Sequence, residues 1–141
     1  MEPRPLSPRY LVSPQISVED VSALVDAGIV LVICNRPDQE VPPSHQAQAI
    51  GAAVRSAGIR FEALPLTHQT MTAQNVARQR ELIESSDGPV LAYCASGTRS
   101  SVVWALGQAG TQSVDEILTC TAAAGYQLDG LRPTLEQLSQ S

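Results

Sequence analysis

Ile29-Val30-Leu31-Val32-Ile33-Cys34 is an unbroken apolar run, with no polar residue at alternate positions. A strand with one wet face alternates apolar and polar residues, so this run is expected to be buried on both faces, as in a parallel sheet. Parallel strands need crossover connections, usually helical, and the surrounding sequence supplies them. Ser17 caps a helix that runs to residue 27 and stops at Gly28. After the run comes a loop, NRPDQEVPPS, then a helix over 44–57 ended by Gly58, and a strand over 59–64. Thr72 caps a helix reaching about residue 85. Asp87-Gly88-Pro89 makes a turn into a strand over 90–93, and a helix over 100–109 follows. Ser113 with Glu116 three residues on forms a capping box for the next helix, and Pro133 suits the first turn of a last one. Tyr10-Leu11-Val12 reads as a short first strand.

This βαβα order predicts an α/β fold with a mainly parallel sheet and helices on both faces. Residues 1–141 are expected to form one domain, with the proline-rich residues 1–8 as a loose N-terminal arm. Right-handed crossovers bring the carboxyl ends of the strands to one edge, where ligands bind. Two loops should meet there: the one after Cys34, with Arg36, Asp38 and Glu40, and the one opened by Cys94.

Composition narrows the function. The formal net charge is -5, and all nine bases are arginine. A nucleic-acid partner is not expected of such a chain, and anion recognition has to use arginine or backbone amides. No apolar stretch approaches the roughly 18 residues of a membrane span, and MEPRPLSPRY carries no apolar run of a signal peptide. No membrane association is expected, and a cytoplasmic location is the default expectation. Cys34, Cys94 and Cys120 are far apart and make no CxxC pair, so no metal site and no cofactor is expected. Cys34 and Cys120 lie in apolar patterns and read as core packing, although the end of the Cys34 strand should approach the site.

Cys94 is different, because Tyr93-Cys94-Ala95-Ser96-Gly97-Thr98-Arg99-Ser100-Ser101 joins a strand to a helix. A loop closing into a helix N-terminus turns successive N–H groups into one concavity, an anion nest. Gly97 permits the positive φ of such a curl. Arg99 can fold its guanidinium over the cup and grip an oxyanion with two hydrogen bonds. Positive surroundings of this kind favour a thiolate, so Cys94 is the expected nucleophile. Ala95, Ser96, Gly97, Thr98, Arg99 and Ser100 are the expected anion-binding residues.

Pro89-Val90-Leu91-Ala92-Tyr93-Cys94-x-Ser96-Gly97-Thr98-Arg99-Ser100 resembles the signature of the bacterial phosphatase-like family associated with β-lactamase hydrolase-like proteins. Ser13-Pro14-Gln15-Ile16, Cys34-Asn35-Arg36-Pro37-Asp38-Gln39-Glu40, Leu64-Pro65-Leu66 and Met71-Thr72 resemble it too. The resemblance implies the dual-specificity phosphatase fold. It also implies one of two activities, since members are described as cysteine phosphatases and as rhodanese-type sulfurtransferases. Some are fused or coupled to persulfide-oxidising metallo-β-lactamase domains, which makes such an enzyme an expected partner.

Three departures separate the activities. Cysteine phosphatases of this kind have a Cys-x5-Arg cup, whereas this chain has the shorter Cys-x4-Arg that resembles rhodanese-like loops. The aspartate that protonates a leaving alkoxide in dual-specificity phosphatases has no counterpart in Leu66-Thr67-His68-Gln69-Thr70, and Tyr93 replaces the histidine that commonly precedes the cysteine. Asp38 and His68 are the accessory candidates. The expectation is therefore a sulfurtransferase. Cys94 takes sulfane sulfur from a small anionic donor, thiosulfate or a low-molecular-weight persulfide, and passes it to a thiol or cyanide. The alternative is a cysteine phosphatase acting on a phosphorylated substrate through a cysteinyl-phosphate. A catalytically silent anion-binding module is the third class.

Overall fold

The computed structural model describes residues 2–140. The apolar run becomes β3 (Leu31–Cys34), buried at every position, and β5 (Val90–Tyr93) beside it is buried in the same way. They pair in parallel with Cys34 opposite Tyr93. Outside them lie β4 (Arg60–Ala63) on the β3 side and β2 (Tyr10–Ser13) on the β5 side, both also parallel. The order is β1-β2-β5-β3-β4.

The edge strand β1 (Arg4–Ser7) corrects the expected loose arm. It pairs antiparallel with β2, buries Leu6 to 4 % exposure, and is tied down where Arg4 donates to the Ala124 carbonyl at 2.8 Å. Pro5 lacks an N–H, which an edge strand tolerates because one of its sides makes no ladder.

Among the described residues, six α-helices cover the sheet. Helices α1 (Val21–Asp26) and α2 (Ala47–Ser56) lie on one face, where Val21, Leu24, Ile50 and Val54 pack on Val32, Phe61, Leu91 and Tyr93. Helices α3 (Ala73–Glu84), α4 (Thr98–Gln108), α5 (Val114–Ala123) and α6 (Arg132–Ser139) form the other layer. There Leu82, Trp104, Ile117 and Leu135 pack on Tyr10, Val12, Leu31 and Ile33. Leu31 and Ile33 thus face one layer and Val32 and Cys34 the other, the period-2 alternation of a strand buried on both sides. Two of the caps read from sequence form: Thr72 Oγ1 accepts from Asn75 N at 3.2 Å, and Ser113 Oγ accepts from Glu116 N at 3.1 Å. Ser17 instead opens a 3-10 turn over Val18–Asp20 ahead of α1, and its own N–H donates to Asp20 Oδ2 at 2.9 Å. No helix among the described residues is long and apolar enough to cross a membrane.

Topology places the site. From β3 the chain moves outward through α2 to β4, then returns across the opposite face through α3 to β5 on the other side of β3. The loops leaving β3 and β5 therefore part in opposite directions, and a crevice opens between them at the carboxyl edge.

Candidate active site

Cys94 follows the last residue of β5 and is 1 % exposed, so its thiol is recessed at the root of the loop. Neighbouring strands fix that root. Cys94 N donates to Ser13 O at 3.4 Å, Asn35 N to Tyr93 O at 2.8 Å, and Gln15 N to Ala95 O at 3.2 Å. The loop then curls back over the sulfur, and Gly97 N–H donates to Cys94 Sγ at 3.1 Å.

Gly97 has φ +96° and is the N-cap of α4, a conformation that costs a residue with a Cβ. Space forbids a side chain as well, because a Cβ there would overlap the Tyr126 hydroxyl. That hydroxyl donates to Ser96 O at 3.0 Å, bracing the outside of the curl. Ser101 Oγ donates to Gly97 O at 2.8 Å from the helix side. The first-turn amides of α4 have no acceptor within the helix and leave it at this end. Ala95, Ser96 and Thr98 are exposed at the mouth, with Ser96 Oγ and Thr98 Oγ1 2.9 Å apart.

Beneath the loop lies a buried polar platform that the sequence reading missed. Ser100 Oγ donates to Asn35 Oδ1 at 2.9 Å, so this hydroxyl is turned into the core rather than toward an anion. Asn35 and Gln79 exchange side-chain hydrogen bonds of 3.0 and 3.1 Å. Gln79 also donates to Tyr10 Oη at 3.1 Å, and Tyr10 Oη donates to Ser100 O at 2.7 Å. Asn35 finally donates to Leu64 O at 2.9 Å. The four residues join β2, the β3 end, α3 and α4, each at most 1 % exposed. Burial pushes the Tyr10 phenol well above its ordinary range, although the Gln79 hydrogen bond opposes this. It stays a neutral donor. The signal was present in α3: Gln79 is three residues from both Val76 and Leu82, on the helix's inward stripe.

The Arg99 guanidinium, in the first turn of α4, is held by a carboxylate from the loop after β3. Its Nη1 and Nη2 donate to the two Glu40 oxygens at 2.8 and 2.7 Å, and Nη1 also reaches Leu66 O at 2.9 Å. Arg36 Nε donates to the same Glu40 at 3.1 Å. Hydrogen bonding from Arg99, against burial and with help from Arg36, holds the Glu40 carboxyl below the usual carboxylate range. Glu40 in turn raises the Arg99 guanidinium further, and the nearby Cys94 sulfur adds to this.

Of the accessory candidates, His68 stands with Thr67, Met71, Val102, Glu40 and Arg99 around a cavity of about 410 Å³. Asp38 does not join them. Its Oδ1 accepts from Ala47 N at 2.9 Å, serving the start of α2, and it lines a separate cleft with Pro37 and Ala63. Glu40, two residues on, is the carboxylate that reaches the site. Cys34 is buried on the α1–α2 face with Tyr93, and burial pushes its thiol up. Cys120 is partly buried against the opposite layer. All three thiols are free.

Known proteins share this architecture. A candidate phosphatase from Neisseria meningitidis, known from its crystal structure, is 34 % identical, with a TM-score of 0.85 over 96 % of each chain. The structure of PTPMT1 is 16 % identical with a TM-score of 0.75, covering 99 % of this chain and 97 % of that one, a likeness of fold. The β-lactamase hydrolase-like protein of Xylella fastidiosa is 28 % identical over 125 residues, 87 % of this chain and 29 % of its own length. The chain thus spans less than a third of that curated relative. The cysteine loop and the two strands that support it fall within residues 2–111, which match the family described as "Beta-lactamase hydrolase-like protein, phosphatase-like domain", and the chain belongs to that family.

Proposed function

We propose that this chain is a cysteine-dependent phosphatase acting on phosphomonoesters. The observation that carries the reading is the placement of Arg99, forked onto Glu40 at the wall of the cavity and beside Cys94. Its support also comes from the cysteine-phosphatase fold and the phosphatase-like family. In the first step Cys94 thiolate attacks phosphorus, forming the S–P bond as the P–O ester bond breaks. The leaving oxygen takes a proton from His68 at the cavity wall. Loop amides and Arg99 hold the three non-bridging oxygens as their charge redistributes. Water then attacks phosphorus, giving a proton back to His68 as the S–P bond breaks, which releases inorganic phosphate and restores the thiolate. Glu40 is a positioning residue that acts through Arg99.

One feature favours the sulfurtransferase expected from sequence. The loop is Cys-x4-Arg, and its Gly97 N–H already donates to sulfur at 3.1 Å. In this second reading Cys94 carries a persulfide, and a persulfide-oxidising metallo-β-lactamase enzyme is the matching partner.

The deciding experiment runs both substrates on one preparation. Reduced protein incubated with a phosphotyrosine peptide should release phosphate, and Cys94→Ser should not. The same protein exposed to thiosulfate or glutathione persulfide is then freed of donor and its intact mass taken. Absence of phosphate release together with a cyanide-labile gain of one sulfur on Cys94 would overturn the phosphatase reading and leave the second one standing.

A further inference from the structure

A second cavity, of about 400 Å³, lies between α3, α4 and α6 and is lined by Val76, Ala77, Leu106 and Leu138 with the stem of Arg80. It is continuous with the candidate active site through two features. Met71 lines both cavities. On α4, Thr98 and Val102 line the site and Leu106 lines the groove; residues four apart share one helix face, so the three form a stripe about 12 Å long. The stripe starts in the first turn of α4, beside Arg99, and leads away from the charge.

What could lie along this stripe is limited by what the groove lacks. Arg80 is the charged group there, and its guanidinium is engaged outside by Glu84 at 2.7 Å and Thr111 at 3.1 Å. It therefore presents its methylenes to the groove. Leu138, 40 % exposed, continues the apolar surface at the α6 end. Met71, between the cavities, is a flexible thioether that can yield to a passing chain. The anion-binding residues stand at one end, and apart from Thr134 and the Arg80 stem the side chains lining the rest are apolar.

We propose that this groove binds the unbranched aliphatic tail of an amphiphilic substrate whose anionic head sits against Arg99, with Met71 and Val102 at the junction. The proposal deepens the reading of the site as a phosphatase by naming a substrate class, and it rests on that reading for the chemistry of the head. The tail supplies binding energy away from the reacting atoms. Each fully buried methylene should tighten binding up to about fourfold.

The test separates tail from reaction by using Cys94→Ser protein for binding and wild type for turnover. Methyl, butyl, hexyl, octyl and decyl phosphate are titrated calorimetrically below micelle-forming concentrations, with the alcohols of equal length as controls. Affinity should rise with length and level off once the tail reaches Leu138. Ala77→Phe, at an exposed position on α3, should fill the groove and flatten the series. Leu138→Glu should weaken the longest esters alone. Equal affinity for methyl and octyl phosphate, or octanol binding as well as octyl phosphate, would overturn the proposal. Length-dependent binding without phosphate release by wild type would sustain the groove and sink the phosphatase reading. Turnover of all esters with one kcat/KM would sustain the reaction and sink the groove.

Discussion

Arg99 gives both terminal nitrogens of its guanidinium to the two oxygens of Glu40, a residue 59 positions earlier on the loop that leaves β3. The fork fixes the plane of the guanidinium before any substrate arrives, which lowers the entropy lost on binding. Glu40→Gln keeps the size of the side chain but loses the charge and one acceptor. It should lower kcat/KM about tenfold, equivalent to about 1.4 kcal/mol of transition-state stabilisation. Arg99→Lys should cost at least as much, since a point-charge ammonium cannot bridge a carboxylate and an oxyanion in fixed geometry. Steady-state kinetics on a phosphomonoester decide it, and unchanged kinetics in both variants would remove the pair from the mechanism.

The same pair sets a pH dependence. Glu40 is held below the ordinary carboxylate range by Arg99, so its pairing stabilises the folded protein above that range. The contribution disappears as pH falls through the lowered value. The difference in Tm between wild type and Glu40→Gln should therefore be greatest near neutrality and vanish in acid. A difference that grows on acidification would contradict the assignment.

How much of this was legible in sequence depends on whether the signal is local. Cys94, Gly97 and Arg99 occupy one strand-loop-helix segment, and local chemistry identifies them. The unbroken runs of β3 and β5 announce burial on both faces and thereby the parallel sheet. The partner of Arg99 is not local: Asp38 and Glu40 look equivalent in NRPDQEV. Only the short 3-10 turn over Asp38–Glu40 sends one carboxylate to α2 and the other to the site. The strand β1 was hidden because prolines at an edge look like a disordered arm until the neighbouring strand is known. The polar platform was hidden because a glutamine on a polar helix draws no attention unless its position on the inward stripe is counted.

That platform carries a stability prediction. Gln79→Leu removes hydrogen-bond partners of both Asn35 and Tyr10 at a buried site. An orphaned buried polar group costs about 1–3 kcal/mol, so the urea midpoint should fall correspondingly. Gln79→Leu combined with Tyr10→Phe should cost less than the sum of the single changes, because both act on one network. Strict additivity would show that the network does not behave as a unit.

Gly97 is constrained twice, and the two constraints can be separated. Gly97→Ala meets the Tyr126 hydroxyl and also forces a Cβ into the left-handed region, which alone costs about 1–2 kcal/mol. Placing Gly97→Ala in a Tyr126→Ala background should relieve the overlap and leave the backbone cost. The double variant should then be more active than Gly97→Ala alone but remain below Tyr126→Ala. Equal activity of the two would mean that the positive φ is dispensable to the cup.

His68 lines the cavity with Arg99, on the loop after β4 where dual-specificity phosphatases would place an aspartate. If it protonates the leaving oxygen, its importance must follow the basicity of that oxygen. A nitrophenolate leaves without help, while an alkoxide needs a proton in the transition state. His68→Asn should therefore lower turnover of an alkyl phosphate by about a hundredfold, the lower end of general acid catalysis. Nitrophenyl phosphate should be nearly unaffected. Plotting log kcat/KM against the acidity of a series of phenols and alcohols gives the test its slope. Wild type should show a shallow dependence and His68→Asn a steep one, because the variant leaves the full negative charge on the departing oxygen. Parallel lines for the two proteins would exclude His68 as the acid, whatever their vertical separation, since a residue that only shapes the cavity lowers all substrates alike.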